Sequence, residues 1–232
     1  LRCQYHIVVV ARPRRRQMSA LFVIERFVKR FESRELFNIP KLELESGTSY
    51  VLTGDNGAGK TTLLKALAGL ESAQFGAIQY QGRDVGADAL GELRRDVVYV
   101  HQHPYLFDTT IAANIAYGLK LRGIAADEIK RRVETAIEWA KLSEFRNTPP
   151  QRLSGGEKQR VALARAWVLQ APVMLFDEPT ANLDHASRDR VIELIEQAVG
   201  DNNCVVVACH DHEIINLPHV RRLHLERGAI GL

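Results

Sequence analysis

The sequence has few cysteines, no long apolar stretch and little net charge. Its three cysteines, Cys3, Cys204 and Cys209, are too few and too irregularly spaced for a disulfide framework or a zinc site. We interpret them as unpaired thiols in a reducing cytoplasm. No apolar run approaches the length of about 20 residues that a helix needs to cross a bilayer. If the protein works at a membrane, another chain must supply the spanning helices.

The formal net charge of +3 arises from the first 17 residues, which hold five arginines and no acid. Without those arginines the 31 basic residues fall to 26 against 28 acidic residues, a balance of −2. The rest of the chain therefore gives no electrostatic argument for nucleic-acid binding, and we expect no nucleic-acid partner. The arginines themselves could still contact anionic lipid or nucleic acid.

The first residues do not read as a signal peptide, because their charges follow the apolar run 7–11 instead of preceding it. Met18 is a plausible natural start. We therefore expect residues 1–17 to be added or misassigned sequence, and residues 1–18 to form an N-terminal extension that is disordered or not native.

Short apolar runs alternate with longer helical patterns, which predicts an α/β fold with a mostly parallel sheet covered by helices. The predicted strands are 21–27, 41–45, 49–53, 96–100, 173–176 and 204–208. The predicted helices are 61–70, 111–122 and 127–142. Because no strand pattern separates the last two, residues from about 105 to 150 are predicted to form a helical subdomain inserted into a single domain over 19–232.

A phosphate-binding loop is predicted directly after strand 49–53. The pattern of two glycines with four residues between them, followed by Lys and Thr, runs Gly54-Asp55-Asn56-Gly57-Ala58-Gly59-Lys60-Thr61. Glycines let the backbone approach phosphates, and the following helix directs its positive end toward the same anions. We expect Lys60 to reach the β- and γ-phosphates and the Thr61 hydroxyl to bind Mg²⁺. An accidental glycine-rich turn is the alternative, and the flanking strand and helix disfavour it.

Two carboxylates follow the buried strand 173–176. A parallel strand that ends in aspartate delivers its carboxylate to the ligand-binding edge of the sheet. Asp177 is therefore expected to hold Mg²⁺, directly or through water, and Glu178 to orient or deprotonate an attacking water. Solvated acids at a strand end are the alternative, which a neighbouring phosphate loop makes weak.

The segment Leu153-Ser154-Gly155-Gly156-Glu157-Lys158-Gln159-Arg160 resembles the signature of ABC ATPases. The resemblance runs from about residue 21 to the end, with the motifs in the family's order. It implies a P-loop NTPase core with a mostly parallel sheet, an antiparallel β subdomain and an inserted α-helical subdomain. It also implies that two subunits sandwich two ATP molecules, so that Ser154, Gly155, Gly156 and Glu157 bind the partner's ATP. A plain helix N-cap is the alternative role for Ser154.

The resemblance assigns roles to four further residues. Gln102 matches the Q-loop glutamine that senses Mg²⁺, and His210 matches the switch histidine that contacts the γ-phosphate. Phe31 takes the place of an aromatic that stacks on adenine, where many members have Tyr. Asp184 belongs to the segment Ala181-Asn182-Leu183-Asp184, which resembles the D-loop at the dimer interface.

The complete set of expected site residues divides by role. The catalytic residues are Lys60, Glu178 and His210; the ATP-binding residues are Phe31, Gly54, Asp55, Asn56, Gly57, Ala58, Gly59, Lys60, Thr61 and Thr62; the Mg²⁺ ligands are Thr61, Gln102 and Asp177. Gln151 and Arg152 are weaker candidates for the subunit interface. His101, His103 and His212 are interpreted as surface residues.

The function that the resemblance implies is Mg²⁺-dependent ATP hydrolysis that powers transport through separate transmembrane permease subunits. We expect a homodimer on the inner, cytoplasmic face of the cell membrane, and a solute-binding protein if the system is an importer. The compact form resembles bacterial importers, and segment 39–45 with the phosphate loop faintly resembles importers of oxyanions such as tungstate, molybdate or phosphate.

The alternative is a non-transport ABC ATPase of the DNA-repair, cell-division or lipoprotein-release type. DNA-repair members usually carry a long coiled coil between the phosphate loop and the signature. Here 93 residues separate Lys60 from Ser154, and they contain no heptad run.

Overall fold

The computed structural model describes residues 20–231 except 33, 87–92, 94 and 182. The predicted extension 1–18, with Cys3, and the D-loop residue Asn182 lie outside the described residues. The strands are β1 (Ala20–Phe31), β2 (Arg34–Glu45), β3 (Ser49–Thr53), β4 (Ala77–Tyr80), β5 (Arg83–Asp84), β6 (Val97–Val100), β7 (Val173–Asp177), β8 (Cys204–Ala208), β9 (Val220–Glu226) and β10 (Ala229–Gly231). The helices are α1 (Lys60–Leu67), α2 (Ile111–Leu121), α3 (Ala126–Trp139), α4 (Gly155–Trp167), α5 (His185–Gly200) and α6 (His212–Ile215).

The strands form two sheets. A six-stranded sheet has the order β10-β9-β3-β8-β7-β6, and all its neighbours are parallel except β10 with β9. A four-stranded antiparallel sheet has the order β2-β1-β4-β5. The prediction of a mostly parallel sheet with an antiparallel β subdomain is confirmed.

The central parallel strands are buried on both faces, as their continuous apolar sequences predict. In β3, Tyr50 and Leu52 pack into the core shared with α1 and the antiparallel sheet, whereas Val51 packs into the core shared with α4 and α5. β8 alternates in the same way, with Val206 on the first face and Val207 on the second.

Several strands have weaker sequence signals and were not predicted. β9 alternates buried and exposed residues because one of its faces is open, and β4, β5 and β10 have four residues or fewer. The predicted strands 21–27 and 41–45 are the N-terminal part of β1 and the C-terminal part of β2, which pair along most of their length. The remaining part of β2 is stabilised by this pairing and by the burial of Phe37 and Ile39 in the core.

Helices α2 and α3 lie where the inserted subdomain is predicted and share a third core with α4. The parallel rings of Trp139 and Trp167, 5.5 Å apart, join α3 to α4. In the part of the chain that the structure describes, no helix combines the length and apolar content that a membrane span requires.

The topology places four loops at one edge of the parallel sheet. β3, β6, β7 and β8 run in the same direction, so their carboxyl ends meet at this edge. The residues that follow them include Gly54, Gln102, Glu178 and His210. This is the edge at which open α/β sheets bind ligands.

Candidate functional site

The loop between β3 and α1 requires glycine at defined positions. Gly54 has φ 146°, and a Cβ there would lie 2.3 Å from the carbonyl oxygen of Leu225. Gly59 has φ 106°, and its Cβ would lie 3.0 Å from the side chain of Leu36. The loop therefore keeps its shape only without side chains at these points.

Lys60 is buried at the start of α1. Its Nζ donates to the carbonyl oxygens of Gly54, at 2.7 Å, and Asp55, at 3.1 Å, and lies 3.2 Å from Nε2 of His210. No side chain caps α1, and its first turn carries no acid. A fixed cation and an uncapped helix N-terminus together make a binding site for anions such as phosphate.

Asp177, at the end of β7, is only 2% exposed, and both carboxylate oxygens accept hydrogen bonds. The Thr61 hydroxyl donates to Oδ1 and the Tyr99 hydroxyl to Oδ2, each at 3.0 Å. Burial, together with the charge of Asp177, raises the pKa of Tyr99, which keeps the phenol protonated as a donor. Sequence analysis missed Tyr99, because a tyrosine in a buried strand is usually a core residue.

The donor set at this end of the cleft suits Mg²⁺. The Thr61 hydroxyl, the Asp177 carboxylate and the Gln102 side chain offer oxygen ligands, and all three residues line one cleft. Mg²⁺ prefers one or two protein oxygens together with substrate phosphates and water. These residues would hold the ion, which supplies positive charge against the phosphates. Among the described residues, no cluster of three or more His, Cys, Asp or Glu forms a separate metal site.

Glu178 is held beside His210 by a strained backbone. Its φ of 46° is left-handed, and its N–H donates to the carbonyl oxygen of Ala208 at 2.8 Å. Its Oε1 lies 3.6 Å from Nε2 of His210. Burial raises the pKa of Glu178, while the charges of His210 and Lys60 oppose that rise. A carboxylate with a raised pKa can take a proton from water.

One open cleft of about 520 Å³ joins these groups. Its lining includes the predicted residues Phe31, Asn56, Gly57, Gly59, Lys60, Thr61, Thr62, Gln102, Asp177, Glu178 and His210. Leu36 also lines it and was not predicted, because an isolated leucine in a strand carries no functional signal. Gly54, Asp55 and Ala58 belong to the loop but are not part of the lining. Phe31 is half exposed at the cleft, with Lys29 Nζ 4.6 Å from its ring centroid.

The predicted signature residues do not line this cleft. Ser154 caps α4 in a capping box: its Oγ accepts from the N–H of Glu157 at 3.3 Å, and its own N–H donates to the Glu157 carboxylate at 2.7 Å. These hydrogen bonds lower the pKa of Glu157. Asp184 similarly caps α5 by accepting from the Ser187 N–H at 2.8 Å. Their action on a partner's ATP stays a prediction.

The minor candidates lie at the surface. His101, His103 and His212 are exposed, as predicted. Gln151 and Arg152 are also exposed, and Gln151 Nε2 donates to Asp108 at 2.7 Å. Their interface role stays a prediction.

Comparison with known proteins shows which family this chain resembles. Residues 37–181 match the family model described as "ABC transporter". The chain is 43% identical over 168 residues to the cobalt import ATP-binding protein CbiO of Salmonella typhimurium, covering 71% of this chain and 62% of that protein. It is 38% identical over 191 residues to the cell division ATP-binding protein FtsE of Escherichia coli, covering 81% of this chain and 86% of that protein.

One solved structure resembles this chain over most of its length. It is described as the dimeric structure of a post-hydrolysis state of the ATP-binding cassette MJ0796 bound to ADP and Pi. The TM-score is 0.80 at 26% sequence identity, covering 91% of this chain and 97% of that one.

Proposed function

Because the chain belongs to the ABC transporter family of ATPases, we propose that its cleft binds and hydrolyses ATP and that hydrolysis powers transport through separate permease subunits. The observation that carries this proposal is the meeting of Lys60, Asp177 and His210 at one sheet edge, although they come from distant parts of the sequence. The alignment spans only 62% of the length of CbiO.

Each residue of the cleft has a chemical task in this proposal. Phe31 stacks on adenine, and Lys60 exchanges its carbonyl partners for the β- and γ-phosphates. Glu178 orients a water and accepts its proton while the water oxygen bonds to the γ-phosphorus. The bond from that phosphorus to the β–γ bridging oxygen breaks, and ADP leaves with this oxygen. His210, whose Nε2 lies 3.6 Å from Glu178 Oε1, contacts the γ-phosphate and holds Glu178 in place.

The catalytic unit in this proposal is a homodimer in which each α4 N-terminus completes the partner's ATP site. Its support is the position of Ser154, which is exposed and does not line the cleft of its own chain. The MJ0796 cassette is itself described as dimeric. The permease partners would place the dimer at the inner face of the membrane.

In this proposal the cleft binds the nucleotide, so its residues do not identify the transported cargo. CbiO is named for cobalt import, so the relatives favour metal ions as the class of cargo. Neither of the relatives described above is named for an oxyanion, and the expectation of tungstate, molybdate or phosphate gains no support from them. The likeness to FtsE favours a division-type machine as the second candidate.

The test is the mass of purified Glu178→Gln protein, measured by light scattering with and without Mg-ATP. This change should block hydrolysis and leave binding intact, so ATP should convert monomer to dimer. Adding Ser154→Arg should abolish the dimer while ATP binding persists. The matched control is Ser143→Arg, an exposed serine in a short 3₁₀ turn at 143–145.

Three outcomes would contradict parts of the proposal. Absence of ATP binding would overturn the assignment of the cleft. Binding without dimerisation would overturn the homodimer. A dimer that survives Ser154→Arg would show that α4 does not contribute to the partner's site. The two candidate functions are separated by the membrane protein that co-purifies with the chain: a permease supports transport, and a division protein supports the second candidate.

A further inference from the structure

Tyr99 lies in the middle of β6, the strand at the edge of the parallel sheet. It is paired with Leu175 of β7, two residues before Asp177. From there its hydroxyl reaches Oδ2 of Asp177 at 3.0 Å, while Oδ1 of the same carboxylate accepts from Thr61. The two oxygens of one buried carboxylate therefore have different donors on opposite sides.

We propose that Tyr99 is a positioning residue for the magnesium ion: its bond to Oδ2 turns Oδ1 of Asp177 toward Thr61 and the cleft. The inference rests on the proposed function, because it takes Asp177 as the carboxylate that holds Mg²⁺. Tyr99 itself does not line the cleft and acts through Asp177.

The physical reason is the burial of Asp177. A carboxylate that is 2% exposed forms few hydrogen bonds with water, so each oxygen needs a donor or a cation. When the Thr61 oxygen and Oδ1 turn to the metal, Tyr99 is the donor left to fix the carboxylate plane. Groups that orient a metal ligand in this way typically change metal affinity by about 10- to 100-fold when they are removed.

The placement of β6 gives Tyr99 a second link to the ion. Gln102, the third predicted magnesium ligand, follows Tyr99 by three residues on the same segment. The Tyr99–Asp177 bond ties β6 to β7 at the level of the metal. Loss of the hydroxyl should therefore loosen two of the three ligands and leave the phosphate loop unchanged.

The test is Tyr99→Phe in the full chain, with Mn²⁺ as the probe. Electron paramagnetic resonance of free Mn²⁺ measures its binding to the protein with ADP. We expect Tyr99→Phe to weaken Mn²⁺ binding about tenfold. ADP affinity in EDTA should be unchanged, because Lys60 and the loop do not depend on Tyr99.

Tyr80→Phe is the matched control. The Tyr80 hydroxyl also donates to an aspartate, Oδ2 of Asp96, at 3.0 Å, but neither residue lines the cleft. Tyr80→Phe removes a similar partly buried hydrogen bond, so this variant should have a lower melting temperature and unchanged Mn²⁺ binding. Equal Mn²⁺ binding in Tyr99→Phe and the wild type, or equal weakening in the two variants, would overturn the proposal.

A double-mutant cycle shows whether Tyr99 acts through Asp177. In an Asp177→Asn background, Tyr99→Phe should cause little further loss of Mn²⁺ binding, and a full additional loss would overturn the proposal. Failure of the wild type to bind Mn²⁺ with ADP would instead overturn the proposed function, so the two failures are distinguishable.

Discussion

Helices α1 and α4 both have glycines at their N-termini, Gly59 before α1 and Gly155 as the first residue of α4, yet their first turns are built differently. α1 has no side-chain cap and no acid in its first turn, and it begins with a buried lysine. α4 is capped by Ser154 and carries the Glu157 carboxylate at its N-terminus. The first helix end therefore needs an anion from outside, whereas the second already holds one.

The glycines at the two ends differ in the same sense. Gly54 is enclosed, with the carbonyl oxygen of Leu225 2.3 Å from the position of a Cβ, while no side chain or distant backbone atom lies within 4 Å of the Cβ position at Gly155. Gly54 is required by the fold of its own chain. Packing within this chain does not require glycine at Gly155. A glycine there fits a surface that a second subunit covers.

The largest expected effect is loss of ATP binding in Lys60→Met. Removing the ammonium group deletes charge-assisted hydrogen bonds to two phosphates, so affinity should fall by about 100-fold or more. Lys158→Met, in the first turn of α4, should leave the ATP affinity of the monomer unchanged. Titration with a fluorescent ATP analogue measures the affinity of both variants. An equal loss of affinity in the two variants would contradict the difference between the helix ends.

The second prediction compares the two glycines. Gly54→Ala should lower the free energy of unfolding by about 2–5 kcal/mol, because the new Cβ meets a backbone carbonyl at a left-handed φ. Gly155→Ala should leave it unchanged or raise it by up to about 1 kcal/mol. Urea denaturation measures both values. The Gly155 variant should nevertheless lose ATP-driven dimerisation in the Glu178→Gln background.

The third prediction concerns the carboxylate at the start of α4. The Glu157 carboxylate already bonds Ser154, so a phosphate that arrives there competes with it. This departs from the expectation that Glu157 itself binds the partner's ATP, and Glu157→Gln should strengthen ATP-driven dimerisation about two- to fivefold. Light scattering against ATP concentration, in the Glu178→Gln background, measures the change. Glu138→Gln, an exposed position on α3, is the control. Weaker dimerisation would show that Glu157 contributes to the interface as a charge.

The smallest expected effect concerns the free energy of unfolding and the charge of Glu178, near the N-terminus of α1. Burial raises the folded-state pKa of Glu178 above its ordinary value of 4.5, so folding favours the protonated form. The ionised form therefore destabilises the fold at neutral pH, and this cost disappears below pH 4.5. Glu178→Gln should melt at a higher temperature than the wild type at pH 7, with a difference that shrinks toward pH 4.5. A lower melting temperature of Glu178→Gln than of the wild type at pH 7 would show that the ionised carboxylate stabilises the fold, which contradicts this prediction.

Local sequence determined the parts of this protein whose chemistry is carried by neighbouring residues. The loop Gly54–Thr61, the Asp177–Glu178 pair and the signature at Ser154 are contiguous motifs, so their residue types and spacing suffice. The buried parallel strands were equally visible, because burial on both faces requires continuous apolar runs. The strands β4, β5, β9 and β10 lack such runs and were missed.

Tertiary structure alone decided which side chains meet. Tyr99 and Leu36 stand in strands without a motif, and nothing local marks them as neighbours of the site. The parallel order of β6, β7 and β8 brings Tyr99, Asp177 and His210 to one edge although they are far apart along the chain. A hydrogen bond such as Tyr99 to Asp177 depends on strand pairing and register, and these are settled by packing across the whole sheet.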